Sequence, residues 1–417
     1  MKYCTRCLYP ENHPLNITFD DEGVCSGCRI HEEKDVLDWR ERKQKLGEIF
    51  DEYRVKNRTI HDCVIPVSGA RDSYFIVHVV KNIFKMRPLL VSYNKHYNTK
   101  VGIRNLAYLR TLFGCDFFQQ TVSPEKVKRI TRETLRLRGS MYWHCLAGST
   151  VFPVQIAVKF KIPLIIWGAH QGCDQVGMFS HLDEVEMTRK YRKEHDLMGL
   201  EAEDLAAQSD LLTMDDMEPY VYPHDKELEA VGVRGVYLSN YFRWDSKAQH
   251  EAMIREFGYE STKQQRTFDT YNDVDCFHYS GLHDYVKFLK WGYGKVTDHA
   301  SREIRLKRLT REEGAELVRQ YQNIKPNDAS LFLDWLGMPD EEFWGHVDRQ
   351  RDPGIWDLSQ ENEPILRDSV LNHLEDEDVD AVRLNTKDEN DFVVSPSREP
   401  QAVDNKYILV GRGWADA

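Results

Sequence analysis

The sequence predicts an α/β protein on a doubly wound parallel sheet, preceded by a four-cysteine zinc knuckle and followed by a mainly helical C-terminal part. Three observations carry this. Short apolar runs at 63–67, 88–93, 116–119 and 163–167 alternate with longer stretches of helical apolar spacing, the order expected of βαβ units. Before them stand two cysteine pairs, Cys4-x-x-Cys7 and Cys25-x-x-Cys28. Beyond residue 200 the apolar pattern is mostly helical, as at 309–322 and 329–336.

At 417 residues the chain is long for one domain. It divides into a knuckle (1–31), an α/β domain (32–200), a mainly helical substrate or partner region (201–345) and an acidic C-terminal extension (346–417). The composition, 41% hydrophobic and 30% charged, is that of a soluble globular protein. Neither a membrane-length apolar run nor a signal peptide's apolar stretch is present, so the expectation is a cytoplasmic protein with no membrane partner. A net charge of −12 opposes nucleic-acid binding.

The elements follow in order. Seventeen residues separate the cysteine pairs, the spacing of a four-thiolate zinc site in which Cys4, Cys7, Cys25 and Cys28 complete a tetrahedron. Such a closed site is structural, and Gly23 and Gly27 supply permissive backbone beside it. Cys63, Cys115, Cys145, Cys173 and Cys276 are scattered and need no role beyond packing. A charged helix over 32–53 leads into the first strand, 63–67. Helices are expected at 75–84, 102–113, 124–138 (strongly basic) and 152–160. The segment "VRGVYLSNYFRWDSKAQHEAMIREFGYE" holds a strand and a helix, and a last strand is expected at 407–410.

Ligands of such sheets sit at the carboxyl ends of strands. Those ends carry Ser68-Gly69-Ala70-Arg71-Asp72-Ser73, Tyr93 with Asn94, and Gly168-Ala169-His170-Gln171-Gly172. The first turn is neither a Walker A loop nor G-x-G-x-x-G. Small residues there let the backbone approach a ligand, and the following helix N-terminus suits phosphate. Ser68 and Ser73 offer hydroxyls and N–H groups, Asp72 a Mg²⁺ ligand or loop brace, and Arg71 a cation. Ordinary helix capping is the alternative for Asp72 and Ser73.

That turn resembles the S-G-G-x-D-S pyrophosphate loop of the ATP pyrophosphatase (PP-loop) superfamily, whose fold is adenine nucleotide alpha hydrolase-like. Ala70 replaces the second glycine, and its methyl group would crowd the phosphate or meet an unfavourable positive φ. With "CTRCLYPENHPLNITFDDEGVCSGC", "MYWHCLAG", "IPLIIWGAHQG", "HLDEVEMTRKYRKEHDLMGL", "YFRWDSKAQ" and "WGYGKVTDHASREIRLKRLTREEG", the chain from Cys4 to about Trp344 is similar to the N-acetyl sugar amidotransferases of bacterial surface-sugar synthesis. Some members carry an acidic residue where this chain has Ala169.

The resemblance implies conversion of an acetamido group into an acetamidino group. The amide oxygen attacks the α-phosphate of ATP, pyrophosphate leaves, and ammonia displaces AMP. It implies ATP, Mg²⁺ and structural Zn²⁺ as cofactors. The substrate would be a UDP- or CMP-linked N-acetyl sugar, ammonia would come from a separate glutaminase, and a homo-oligomer is allowed. Ser68 to Ser73, Tyr93, Asn94 and Gly168 would hold the nucleotide. Asp72, Arg71, His170 and His299 would serve catalysis, and Lys295, Arg302 and Arg305 would bind the sugar's anionic groups. A solvated helix is the competing reading for those three cations. A tRNA-modifying relative (a thiolase or lysidine-synthase-like enzyme) and a non-catalytic zinc- and nucleotide-binding module are the alternatives of other classes.

Overall fold

The computed structural model describes residues 1–56, 59–70, 72–359 and 364–374. Arg71, the strand expected at 407–410 and most of the acidic extension lie outside the described residues. Strands β1 (Cys63–Pro66), β2 (Pro88–Tyr93), β3 (Asp116–Gln120), β4 (Leu164–Trp167) and β5 (Arg234–Tyr237) form one parallel sheet, ordered β3-β2-β1-β4-β5. Strand order reverses at β1 and β4, so the topological switch point lies between the two strands that end on Ser68 and Gly168.

Helices α1 (Ser26–Val36) and α2 (Trp39–Lys56) precede the sheet. Helix α3 (Ser73–Val77), which widens into a π turn over His78–Ile83, joins β1 to β2. Helix α4 (Lys100–Phe113) leads to β3, and α5 (Pro124–Arg138) and α6 (Trp143–Phe160) lead to β4. Short helices α7 (Gln171–Asp174), α8 (Arg189–Tyr191), α9 (Ala202–Ala207), α10 (Met214–Met217) and α11 (Asp225–Val231) fill the way to β5. Helices α12 (Ser246–Phe257), α13 (Leu282–Trp291), α14 (Lys295–Arg305), α15 (Arg311–Tyr321), α16 (Ala329–Leu336) and α17 (Asp340–Asp348) follow, then the antiparallel pair β6 (Trp356–Leu358) and β7 (Pro364–Leu366).

Alternation along the strands sends side chains to both faces. Ile65, Leu90 and Ile166 pack with Leu46, Phe50, Val80, Leu109 and Met253 from α2, α3 and its π turn, α4 and α12. Val64, Leu89, Val91 and Ile165 pack with Val151, Val154 and Ile156 of α6. The sheet is therefore covered on both sides. The α/β unit reaches past residue 200, because β5 pairs in register with β4 and α12 covers the same face as α2.

Two boundaries differ from the sequence reading. The charged stretch splits at Leu37-Asp38, where the Asp38 carboxylate accepts from the N–H groups of Arg40 (2.9 Å) and Glu41 (3.1 Å) and starts a new helix. Helix α6 begins at Trp143 rather than 152 and carries Pro153 inside it. Burial of Trp143, His144, Cys145 and Ala147 outweighs the weak helix formers Gly148, Ser149 and Thr150. The basic helix α5 is tied to its own chain: Arg129 pairs with Asp216 and Arg136 with Glu133, while Arg132 donates to the Leu336 and Gly337 carbonyls.

Candidate functional site

The turn after β1 is stitched by its two serines. Ser73 Oγ accepts from the Ser68 N–H (3.0 Å) and donates to the Ala70 carbonyl (3.0 Å), and Ser68 Oγ accepts from the Ala70 N–H (3.2 Å). Asn105 of α4 donates to the Gly69 carbonyl at 3.0 Å. A Cβ on Gly69 would stand 2.0 Å from the Gly102 carbonyl oxygen, so glycine is required there by close backbone packing. Ala70 does not carry a positive φ, and its methyl group is buried among the core residues around Val67 and Tyr74. The expected backbone strain is absent and the methyl points into the core. Asp72 occupies the N-cap position of α3, yet its carboxylate makes no capping bond.

Beside this turn lies a cavity of about 350 Å³, lined among others by Ser68, Gly69, Tyr93, Asn94, Lys95 and Asp275. Arg110 and Gln119 also face it. It opens at the carboxyl ends of β1, β2 and β3, where such sheets take ligands. The Lys95 ammonium lies 3.2 Å from Asp275 Oδ2. Asp275 Oδ1 is buried and makes no hydrogen bond among the described residues. Two cations, hydroxyls, amides and one acid make a lining suited to a metal-bound phosphate chain. Lys95, Arg110 and Asp275 were not singled out from the sequence. Tyr93 lines the cavity with its ring but turns its hydroxyl toward Tyr220 (2.7 Å) and His144 (3.1 Å). Asn94 folds its side-chain oxygen onto the His96 N–H and Asn98.

Gly168 and His170 sit across the switch point, after β4. The Gly168 carbonyl accepts from the Ser239 N–H (3.3 Å), and the residue is not among those lining the cavity. The His170 ring is fully buried between Tyr191, Tyr237 and Phe179, with centroids 4.5 to 5.5 Å away. Neither ring nitrogen has a hydrogen-bond partner among the described residues. Burial lowers its pKa to about 4, so the imidazole is neutral at pH 7 and resists protonation.

The four cysteines converge as expected. Their sulfurs lie within 4.8 Å of one another, with 4.0 Å between Cys4 and Cys28 and 3.6 Å between Cys7 and Cys25. Tetrahedral zinc with bonds of about 2.3 Å asks for sulfur separations of roughly 3.8 Å, so the set fits the ion. Cys4 Sγ also accepts from the N–H groups of Cys7 and Cys25, both at 3.3 Å. Hydrogen bonding from Cys25 foremost holds the Cys4 thiol below its ordinary value, while burial pushes Cys28 well up.

Arg305 departs from the sequence reading. It is buried, with Nη2 3.4 Å from Cys25 Sγ and 3.8 Å from Cys7 Sγ, and Nη1 donates to the Gln175 carbonyl at 2.6 Å. Arg311 Nε donates to the carbonyls of Cys4 (3.2 Å) and Cys7 (3.3 Å). Helix α14 is therefore no solvated helix: the knuckle packs on it through Leu8, Tyr9, Val296, Ala300 and Ile304. Arg305 is engaged by the knuckle and the Gln175 carbonyl.

The remaining cations are also engaged. Lys295 pairs with Asp273 at 2.7 Å and sits over the Tyr279 ring. Arg302 bonds Glu303 (2.7 Å), Asp269 (3.0 Å) and the Tyr271 hydroxyl (3.0 Å). His299 is buried, holds Thr267 Oγ1 at 2.6 Å, and is lowered to about 4, chiefly by burial. These three brace the 266–273 segment against α14 and do not line the cavity.

A family comparison bears on the C-terminal part of the chain. Residues 265–367 match the family model described as LPS biosynthesis protein WbpG-like, C-terminal domain. The match spans α13 to α17 and includes Asp275. Over 102 residues the chain is 24% identical to the uncharacterized protein MJ1599 of Methanocaldococcus jannaschii, covering 24% of this chain and 36% of that protein. The aligned part thus spans about a third of that relative's length. Among the described residues, no helix is long and apolar enough to cross a membrane.

Proposed function

We propose that this chain is an ATP-dependent, AMP- and pyrophosphate-forming amidotransferase that converts an acetamido group of a nucleotide-activated sugar into an acetamidino group. The carrying observation is that Ser68 and Gly69, which open the S-G-A-R-D-S turn, line a phosphate-suited cavity at the carboxyl end of β1. The likeness of residues 265–367 to an LPS biosynthesis domain supports a surface-sugar substrate, in O-antigen or nonulosonic acid synthesis.

In this reading the N–H groups and hydroxyls of Ser68, Gly69 and Ser73 receive the pyrophosphate half of ATP. Arg71, Lys95 and Arg110 offset the charge that develops as the α–β bond breaks. Asp72 braces the turn at its helical end or would help hold Mg²⁺, which would supply positive charge against the phosphates. The substrate's amide oxygen attacks the α-phosphorus, which turns a poor leaving group into AMP. Ammonia adds to the activated carbon and gives up a proton to solvent as AMP leaves; His170, buried outside the cavity lining, takes no part in that transfer. Ammonia is delivered by a separate glutaminase, since most of the free pool is protonated at neutral pH. The reaction is placed in the cytoplasm, where ATP and sugar nucleotides are held.

The test is an assay of purified, zinc-loaded protein with ATP, ammonium salt and a panel of UDP- and CMP-linked N-acetyl sugars. One sugar should release AMP and pyrophosphate in equal amounts, with activity rising with pH and no use of glutamine. Release of ADP and phosphate instead, or no response to any sugar, would end the proposal.

A further inference from the structure

We infer that Asp275 and Lys95 form a metal-and-phosphate clamp in the cavity: Asp275 Oδ1 takes the divalent cation carried by the nucleotide, and Lys95 takes a phosphate oxygen. The inference rests on reading the cavity as the ATP site. A carboxylate turned toward a polyanion is repulsive unless a cation stands between them. Lys95 occupies only Oδ2, at 3.2 Å, and Oδ1 is left buried without a partner among the described residues. A buried carboxylate oxygen in that state calls for a ligand. Mg²⁺ fits, because it is held by one or two carboxylates together with substrate phosphates and waters.

The backbone fixes this acid where it is needed. The Asp275 carbonyl accepts from the Thr99 N–H (3.1 Å), the Phe277 N–H donates to the Tyr97 carbonyl (2.9 Å), and Asn98 pairs with Cys276. A Cβ on Gly102 would come within 2.3 Å of Asp275 Cα. Gly102 thus packs directly on Asp275 on one side and on Gly69 of the phosphate turn on the other. The WbpG-like region thereby supplies Asp275 to a cavity otherwise lined by the strand ends and α4. The sheet alone would hold a phosphate, and the second region adds the metal ligand.

The test is calorimetric binding of α,β-methylene-ATP to the full, zinc-loaded chain, with excess Mg²⁺ and with no added divalent cation in buffer stripped of metal beforehand. The wild type should bind at least tenfold more tightly with Mg²⁺. Asp275→Asn, close in volume to aspartate, should lose that gain to within twofold while its metal-free affinity stays equal or improves. Asp275→Ser should behave alike and serves if the first variant does not fold. Lys95→Met should weaken binding with and without metal. A Mg²⁺ gain retained by both Asp275 variants would overturn the clamp and leave the nucleotide site standing. An equal loss in both conditions would overturn it too, since Asp275 would then touch the nucleotide itself. Absence of any wild-type binding would remove the ATP reading and the clamp with it.

Discussion

Replacing Arg305 by Met separates the role its sequence pattern suggests from the role its position supports. The guanidinium donates to the Gln175 carbonyl at 2.6 Å and approaches two cysteine sulfurs at 3.4 and 3.8 Å. Methionine keeps much of the stem and removes every donor. A buried carbonyl is then left without its partner, and the cluster loses the cation facing its thiolates. Removing one partner from a buried charge pair costs about 3–5 kcal/mol, and losing an outer hydrogen bond to a metal ligand costs roughly 10–100-fold in metal affinity. Chelator competition should show that drop in zinc affinity, and thermal unfolding a fall of several degrees. Arg305→Lys should not restore either property, because an ammonium cannot span the fork. Gly27→Ala should mimic the loss, since a Cβ there would meet Arg305 Nη2 at 2.3 Å and the Gln175 oxygen at 2.5 Å. Unchanged stability and zinc affinity, with a raised KM for the sugar alone, would refute the reasoning.

Gly69→Ala forces a methyl group to within 2.0 Å of a backbone carbonyl; it should cost about 3 kcal/mol or more in chemical denaturation and lower nucleotide affinity at least tenfold. Ala70→Gly removes a buried core methyl without relieving strain, so it should lose about 1–2 kcal/mol of stability while turnover stays within about twofold. Acid should destabilise the fold well before carboxylates titrate. His13 and His144 are lowered to about 3 and His170 and His299 to about 4, burial being the first cause in each. A folded pKa below the unfolded value near 6.5 means the unfolded chain binds more protons between those limits. Stability should therefore be fully present above about pH 6.5 and fall by up to about 1.4 kcal/mol per pH unit for each such histidine as pH drops toward 4. A flat unfolding midpoint between pH 7 and 5 would contradict this.

The sheet was legible because its strands are short apolar runs between helical patterns, and four were placed to within a residue or two. The cysteine cluster was legible from spacing alone. The walls of the cavity were not. Asp275 reaches the end of β2 across a long stretch of chain, through one isolated bridge between Asn98 and Cys276, and the segment Asn272-Asp273-Val274-Asp275 carries no pattern that marks a ligand. Lys95 follows directly on Asn94, so its place at a strand end was the available signal. Arg302 and Arg305 were read from helical spacing as one cationic face. That spacing cannot tell solvent from the knuckle, which is nearly three hundred residues away in sequence yet packs on α14. Ala70 was misjudged for a related reason, since neither φ nor the direction of one methyl group is written in the residue type.

The most direct measurement follows an oxygen atom. A substrate sugar labelled with ¹⁸O in its acetamido carbonyl should, with ATP and ammonium, deliver that label into the phosphate of AMP, because the amide oxygen becomes bonded to the α-phosphorus and leaves with it. Label recovered in AMP, matched to acetamidino sugar formed, is the predicted result. Label retained in the sugar, or found in water with AMP unlabelled, would contradict adenylation of the substrate at this site.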